Sequence, residues 1–191
     1  VFYAKIGSEN GAFDMADVLE GINKKLIYRH PHVFGEVEVN DSARQVIENW
    51  EALKLKETGG NKRVLEGVPV AMPALVKANR IQEKASGVGF DWEYREQVWD
   101  KVKEEISELA DEIDKVDKDK MEAEFGDLFF AMVNAARLYG VDPEAALERT
   151  NLKFISRFNY LESQTLAKGK SLHDMTLNEM DVIWDEAKKL E

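Results

Sequence analysis

Residues 104–127 read EEISELADEIDKVDKDKMEAEFGD, and this acidic stretch decides both the fold and the chemistry expected of the chain. It holds 11 acidic residues and three lysines, a net charge of −8, while the whole chain of 191 residues carries −11. Such a concentration of acid predicts either a cation site or a solvated acidic helix face, and charge alone leaves both interpretations open.

The stretch covers the end of one amphipathic helix and the start of another. Apolar residues at three- and four-residue spacing predict a helix over about 94–116, and a second helix is predicted over about 121–139. The segment 114–120, rich in lysine and aspartate, turns between them, so the two helices should be antiparallel neighbours. No alternating stretch rich in Val, Ile and Thr is long enough for a sheet, so the predicted fold class is all-α.

Start and end signals place the other helices. These signals are the break at His30-Pro31-His32, a cap at Asp41 or Ser42, Pro73, Asp142-Pro143, and a capping box from Thr176 to Glu179. They predict helices over about 12–28, 43–57, 73–85, 142–167 and 176–190. The glycines at 59–60 are expected to end the second of these helices.

Composition excludes several classes of protein. With 44% hydrophobic and 33% charged residues, the chain is neither disordered nor fibrous. It has no cysteine, which excludes disulfides, thiolate nucleophiles and zinc fingers and favours a cytoplasmic location. The longest apolar run, residues 128–133, is too short to span a membrane. The net charge of −11 argues against a nonspecific binder of nucleic-acid polymers.

Four acids of the stretch form two pairs. Glu105 and Glu108 are three residues apart on the first helix, and Glu124 and Asp127 are three apart on the second, so each pair shares a helix face. Four facing carboxylates repel one another unless a cation lies between them, and oxygen-only ligands favour Mg²⁺ or Mn²⁺. The second helix is apolar nearly all round and is expected to be buried, which would make unpaired carboxylates at its start costly. Ion pairs with nearby lysines are the alternative: Lys101, Lys103, Lys118 and Lys120.

Further candidate residues follow this pair of helices. Lys153 and Arg157 share one helix face and suit a polyphosphate bound opposite a metal, although a solvated basic face is the alternative. Asn134 is either a nucleotide ligand or the partner in a hydrogen bond between helices. Trp184 on the last helix either stacks on a base or belongs to the core, the commoner role of an isolated tryptophan.

A weak internal repeat links the two ends of the chain. Residues 133–138, VNAARL, align with residues 1–6, VFYAKI. After a gap, residues 141–147, VDPEAAL, align with residues 13–19, FDMADVL. The first copy lacks a counterpart of residues 104–127, so it would be a remnant, and only the second copy would be chemically complete.

The motifs resemble those of a known family. EEISE at 104–108, followed by EFGD at 124–127, is similar to the EExxE…ExxD pattern of the MazG nucleotide pyrophosphohydrolases. The resemblance extends over essentially the whole chain. It includes RHPHVF at 29–34, KANRIQ at 77–82, VGFDW at 88–92, GDLFF at 126–130 and VNAAR at 133–137.

The resemblance implies a Mg²⁺-dependent, all-α, dimeric hydrolase that cuts nucleoside triphosphates to monophosphate and pyrophosphate. By position it implies metal ligands at Glu105, Glu108, Glu124 and Asp127, a further catalytic motif acid at Glu104, phosphate contacts at Lys101, Lys153 and Arg157, and a nucleotide contact at Trp184. It divides the chain into a remnant of the first repeat over 1–34, a helical linker region over 35–90 and a complete catalytic domain over 91–191. Water, positioned by the metal or by Glu104, is the expected nucleophile.

The competing hypothesis is a noncatalytic acidic helical module that senses nucleotide or binds a partner. Repeat remnants and amphipathic helices suit such a module equally well. The intact set of four acids discriminates between the two hypotheses, because a scaffold does not need it.

Overall fold

The fold is described from a computed structural model, which covers residues 1–37, 46, 49–50, 52–54, 63–167 and 169–190. The regular secondary structure of these residues is helical. Within these residues there is no strand, which confirms the all-α class. The chain divides into two units, Val1–Gln97 and Val98–Glu191. The first contains α1 (Phe2–Glu9), α2 (Met15–Arg29), α3 (Pro31–Phe34) and α4 (Ala74–Ser86), and the second contains α5 (Val98–Lys115), α6 (Lys118–Leu138), α7 (Pro143–Ala167) and α8 (Leu177–Lys188).

The helices α5 and α6 form an antiparallel pair, and they pack together more extensively than any other pair of the described helices. The α5 helix begins later than predicted because residues 95–97 form a 3₁₀ turn. The connection to α6 is two residues long, with Val116 at a φ of 60° and Asp117 accepting a hydrogen bond from the Lys120 amide at 3.3 Å. This aspartate cap starts α6 three residues before the predicted position.

The helices α7 and α8 form the second closely packed pair. Asp142 caps the start of α7 by accepting a hydrogen bond from the amide of Ala145 at 2.9 Å. Thr176 and Glu179 form the predicted capping box of α8, in which each side chain accepts from the other residue's amide. The apolar side chains buried in this pair of helices are Leu161, Ile183 and Ala187.

In the first unit, α1 and α2 repeat the local geometry of the junction between α6 and α7. Gly11 and Gly140 follow the ends of α1 and α6 with φ angles of 63° and 70°, the left-handed conformation that favours glycine. Asp14 and Asp142 follow these glycines by three and two residues, and each caps the next helix. The likeness supports the predicted internal repeat.

The remaining predicted helices of the first unit match the structure where it is described. The α2 and α4 helices begin and end within three residues of the predicted bounds. The break at His30-Pro31-His32 separates α2 from the short α3, which starts at Pro31. The helix predicted over 43–57, with its cap at 41–42 and its end at 59–60, lies largely outside the described residues.

The prediction that the second helix of the acidic stretch is buried is wrong for a single chain. On α6 only small and branched side chains are buried, namely Ala131, Val133 and Ala135. Larger ones remain exposed, with Phe129 at 61%, Met132 at 44%, Phe125 at 43% and Phe130 at 42%. The reason is geometric, because α5 covers one stripe of α6 whereas its apolar residues extend around most of the helix.

Candidate active site

The α5–α6 pair brings together three of the four predicted metal-binding acids. Carboxylate oxygens of Glu105, Glu108 and Glu124 all lie within 4.8 Å of one another. Glu105 is only 4% exposed, Glu124 is half-buried and Glu108 is exposed. We call these three residues the carboxylate cluster. Its oxygen-only donor set suits a hard divalent cation, and the cluster could hold a metal ion.

The negative charges of the carboxylate cluster repel one another. Loss of hydration raises the pKa of Glu108 above its ordinary value. The neighbouring charges of Glu105, Glu104 and Glu124 raise this pKa further, while Lys101 lowers it. A cation bound at the cluster therefore relieves a repulsion that the fold creates.

Lys101 is held by two acids of its own helix. Its Nζ lies 2.8 Å from Oε1 of Glu104 and 2.7 Å from Oε1 of Glu105. These two hydrogen bonds raise the pKa of the Lys101 ammonium above its ordinary value. The predicted alternative, in which the acids pair with nearby lysines, therefore holds for Glu105, although Glu105 also belongs to the carboxylate cluster.

Two other lysines of that alternative pair with different acids. Lys103 lies 3.1 Å from Asp100, and Lys120 lies 3.7 Å from the capping residue Asp117. Neither acid is a member of the carboxylate cluster, so these ion pairs do not neutralise it.

Asp127, the fourth predicted ligand, lies one turn beyond Glu124 on α6 and is exposed. Its carboxylate is not among the oxygens that lie within 4.8 Å of one another. Its role as a ligand, like that of Glu104 as a catalytic acid, stays a prediction.

Sequence reasoning missed Glu112, which follows Glu108 by four residues on α5. Its side chain is only 14% exposed, and its Oε1 accepts a hydrogen bond from Nζ of Lys115 at 2.8 Å. Its Oε2 is buried and has no hydrogen-bond partner within the part of the chain that the structure describes. Helical spacing was the available signal, since residues four apart share a face, but the recognised motif ends at Glu108.

The α7–α8 pair brings two of the predicted nucleotide-binding residues into contact. The guanidinium carbon of Arg157 lies 5.9 Å from the centroid of the Trp184 indole. The same indole packs against Phe154 with ring centroids 5.1 Å apart. Trp184 is half-buried and Lys153 is exposed, so both remain accessible to a ligand.

The described contacts of Asn134 lie within its own helix. Its Oδ1 accepts hydrogen bonds from Nε and Nη2 of Arg137, at 3.0 and 2.8 Å, on the same helix. This intrahelical pair orients the amide, and a nucleotide contact by Asn134 stays a prediction.

Comparison with known proteins identifies the family to which these features belong. The family model described as the MazG nucleotide pyrophosphohydrolase domain matches residues 1–34 and 95–161. The chain is 43% identical over 190 residues to the "Nucleoside triphosphate pyrophosphohydrolase/pyrophosphatase MazG" of Thermotoga maritima, covering 98% of this chain and 71% of that protein. It is 40% identical over 195 aligned positions to the "Nucleoside triphosphate pyrophosphohydrolase" of Escherichia coli K12, covering 100% of this chain and 74% of the relative.

The all-α fold and the acidic cluster define a helical hydrolase of the nucleotide pyrophosphohydrolase class. The chain belongs to the MazG nucleotide pyrophosphohydrolase family. The family and the enzyme class predicted from the motifs are thereby confirmed. None of the helices in the described part of the chain has both the length and the apolar character needed to cross a membrane.

Proposed function

We propose that this chain hydrolyses nucleoside triphosphates to nucleoside monophosphates and pyrophosphate, with Mg²⁺ or Mn²⁺ as cofactor. The observation that carries the proposal is the carboxylate cluster, in which two helices hold three carboxylates within 4.8 Å of one another. Membership of the MazG family and the names of the two relatives support the reaction and the substrate class.

The donor set and its electrostatics fit a divalent cation. Glu105, Glu108 and Glu124 would hold it, with Asp127 as the fourth ligand. The pKa of Glu108 is raised first by loss of hydration and then by the charges of Glu105, Glu104 and Glu124, and a bound cation would offset that repulsion. When bound, the cation offsets the negative charge of the phosphates in the ground state and the transition state.

Basic side chains supply the remaining charge. Lys101, Lys153 and Arg157 donate hydrogen bonds to phosphate oxygens, and charge-assisted bonds of this kind are stronger than neutral ones. Trp184 supports the nucleotide beside Arg157, since the indole and the guanidinium are already in contact. Asn134 is a further candidate contact to the nucleotide.

Water is the nucleophile in this proposal. The chain has no cysteine, and no Ser–His pair suggests a covalent intermediate. Glu104, whose side chain is 55% exposed, is the acid proposed to orient a water molecule and take up its proton. The attacking oxygen adds to phosphorus, and pyrophosphate leaves with the electron pair of the broken bond.

The proposal includes a homodimer and the predicted division of the chain. Phe125, Phe129 and Phe130 of α6 are 43%, 61% and 42% exposed, and large apolar side chains left exposed together on one helix are typical of an interaction surface. Residues 1–34 belong to the first repeat, residues 35–90 to the linker region and residues 91–191 to the catalytic domain. A cytoplasmic location fits the absence of cysteine.

The deciding experiment is pyrophosphate release from a panel of nucleoside triphosphates, with and without Mg²⁺. We expect release that requires the cation and is lost in Glu124→Gln. Glu122→Gln, which changes an exposed acid on the same helix, should retain activity. Nucleotide binding without hydrolysis by the wild-type protein would replace this proposal with the nucleotide-sensing module.

A further inference from the structure

Lys101 and the carboxylate cluster share one residue, Glu105. The Lys101 ammonium lies 2.7 Å from Glu105 Oε1, four residues along α5, and 2.8 Å from Glu104 Oε1. Carboxylate oxygens of Glu105 also lie within 4.8 Å of those of Glu108 and Glu124. The Glu105 carboxylate therefore has two sets of neighbours: the Lys101 ammonium, and the carboxylates of Glu108 and Glu124.

The mobility of the two partners differs. Glu105 is 4% exposed, so its carboxylate is confined by the packing of α5. The Lys101 side chain is 39% exposed and carries four rotatable bonds, so its ammonium can leave without disturbing the core. Glu104, with a side chain 55% exposed, can follow it or remain in solvent.

A divalent cation at the cluster changes the balance at Glu105. A cation bound to a carboxylate lies about 2.1 Å from the oxygen, which brings two positive centres within roughly 5 Å of each other if Lys101 stays in place. The like charges repel, and the carboxylate charge that holds Lys101 is then shared with the cation.

We propose that Lys101 and the divalent cation compete for Glu105, so that cation binding turns the Lys101 ammonium from Glu105 toward the phosphates of the substrate. This inference rests on the proposed function, because it uses the same cation site and the same phosphate contact. It makes the cation a condition for full nucleotide binding, beyond the cation's own contact with the phosphates. By reciprocity, nucleotide that holds Lys101 away from Glu105 strengthens cation binding.

The test measures binding rather than turnover. Titration calorimetry with Mn²⁺ alone, without nucleotide, should show tighter binding to Lys101→Met than to the wild type, by about fivefold or more. Lys101→Gln, which keeps a polar side chain, should also bind Mn²⁺ more tightly than the wild type does. The matched control is Lys103→Met, because Lys103 pairs with Asp100 at 3.1 Å and both side chains are well exposed.

A second titration follows a nonhydrolysable nucleoside triphosphate at saturating Mn²⁺. Its affinity should fall in Lys101→Met and stay unchanged in Lys103→Met, so that one substitution moves the two affinities in opposite directions. Melting curves check that each variant is folded.

Three results would overturn the inference: unchanged or weaker Mn²⁺ binding in both Lys101 variants, an equal gain in Lys103→Met, or no Mn²⁺ binding by the wild type. Failure of the proposed function is a separate outcome. A wild-type protein that binds Mn²⁺ and nucleotide but releases no pyrophosphate would refute the enzyme and still allow the competition to be measured.

Discussion

The guanidinium of Arg157 on α7 lies over the indole of Trp184 on α8, with 5.9 Å between the guanidinium carbon and the ring centroid. The family resemblance implies a phosphate contact for Arg157 and a nucleotide contact for Trp184, and the two side chains contact each other. Phe154 also packs against the Trp184 indole, with 5.1 Å between the two ring centroids. Replacing the indole should therefore alter the orientation of the Arg157 guanidinium.

Replacing Trp184 should impair nucleotide binding without affecting the cation site. We expect Trp184→Ala to raise KM for nucleoside triphosphate about fivefold or more, because it removes an aromatic surface and the cation–π contact that orients Arg157. Trp184→Phe keeps a ring and should lose less. The measurement is steady-state kinetics paired with Mn²⁺ titration, which should be unchanged. A normal KM in Trp184→Ala would exclude this residue from the substrate site.

Glu124 should couple cation binding to stability. A ligand that prefers the native state adds RT ln(1 + [L]/Kd) to the free energy of unfolding, so saturating Mg²⁺ should raise the Tm of the wild type. Glu124→Gln removes one charge from the carboxylate cluster and should reduce this rise, while Glu122→Gln should keep it. Calorimetric melting with and without Mg²⁺ gives the comparison. Equal Tm values with and without Mg²⁺ in wild type and variant alike would count against a cation site there.

The capping box of α8 should make its stability depend on acid pH. Hydrogen bonds from the backbone amide and hydroxyl of Thr176 lower the pKa of Glu179 below its ordinary value. A depressed carboxylate pKa stabilises the fold at pH above the ordinary value, and this contribution is lost as the pH falls through the lowered pKa. Glu179→Gln retains an acceptor oxygen but does not titrate, so its urea midpoint should vary less between pH 7 and acid pH. Identical pH dependence in both proteins would refute the assignment.

Much of the second unit was predictable because its signals are local. Helical periodicity, the capping box at Thr176 and the start at Asp142-Pro143 all depend on residues within one or two turns, and each was confirmed. The spacing of Glu105 and Glu108 likewise predicted that they share a helix face. The short turn between α5 and α6 brings this face next to Glu124.

The features that the sequence did not predict depend on long-range packing or on which of several neighbours a side chain contacts. Apolar character around α6 indicates that its faces need cover, but not whether the same chain provides it, and Phe129 is 61% exposed. Lys101 has acids at both three and four residues along the helix, and spacing did not show that it holds both.

The apolar surface of α6 should bury itself in a homodimer. Light scattering should give about twice the chain mass of 21.8 kDa at micromolar concentration. Phe129→Gln should shift the protein toward the monomer, because it places a polar amide in the expected contact. Leu166→Gln is the control, since Leu166 is 72% exposed near the end of α7. A wild-type mass near that of one chain would refute the dimer.

Asp127 and Lys153 separate catalysis from binding. Asp127→Asn keeps size but removes a ligand charge, so kcat should be abolished, because the lost stabilisation matters most in the transition state. Lys153→Ala leaves the carboxylate cluster intact and should raise KM, with kcat falling too if Lys153 follows charge onto the leaving pyrophosphate. Both side chains are exposed, so neither change should unfold the protein, and melting curves check this. Full hydrolysis by Asp127→Asn, in a preparation free of contaminating phosphatase, would refute the carboxylate mechanism at this position.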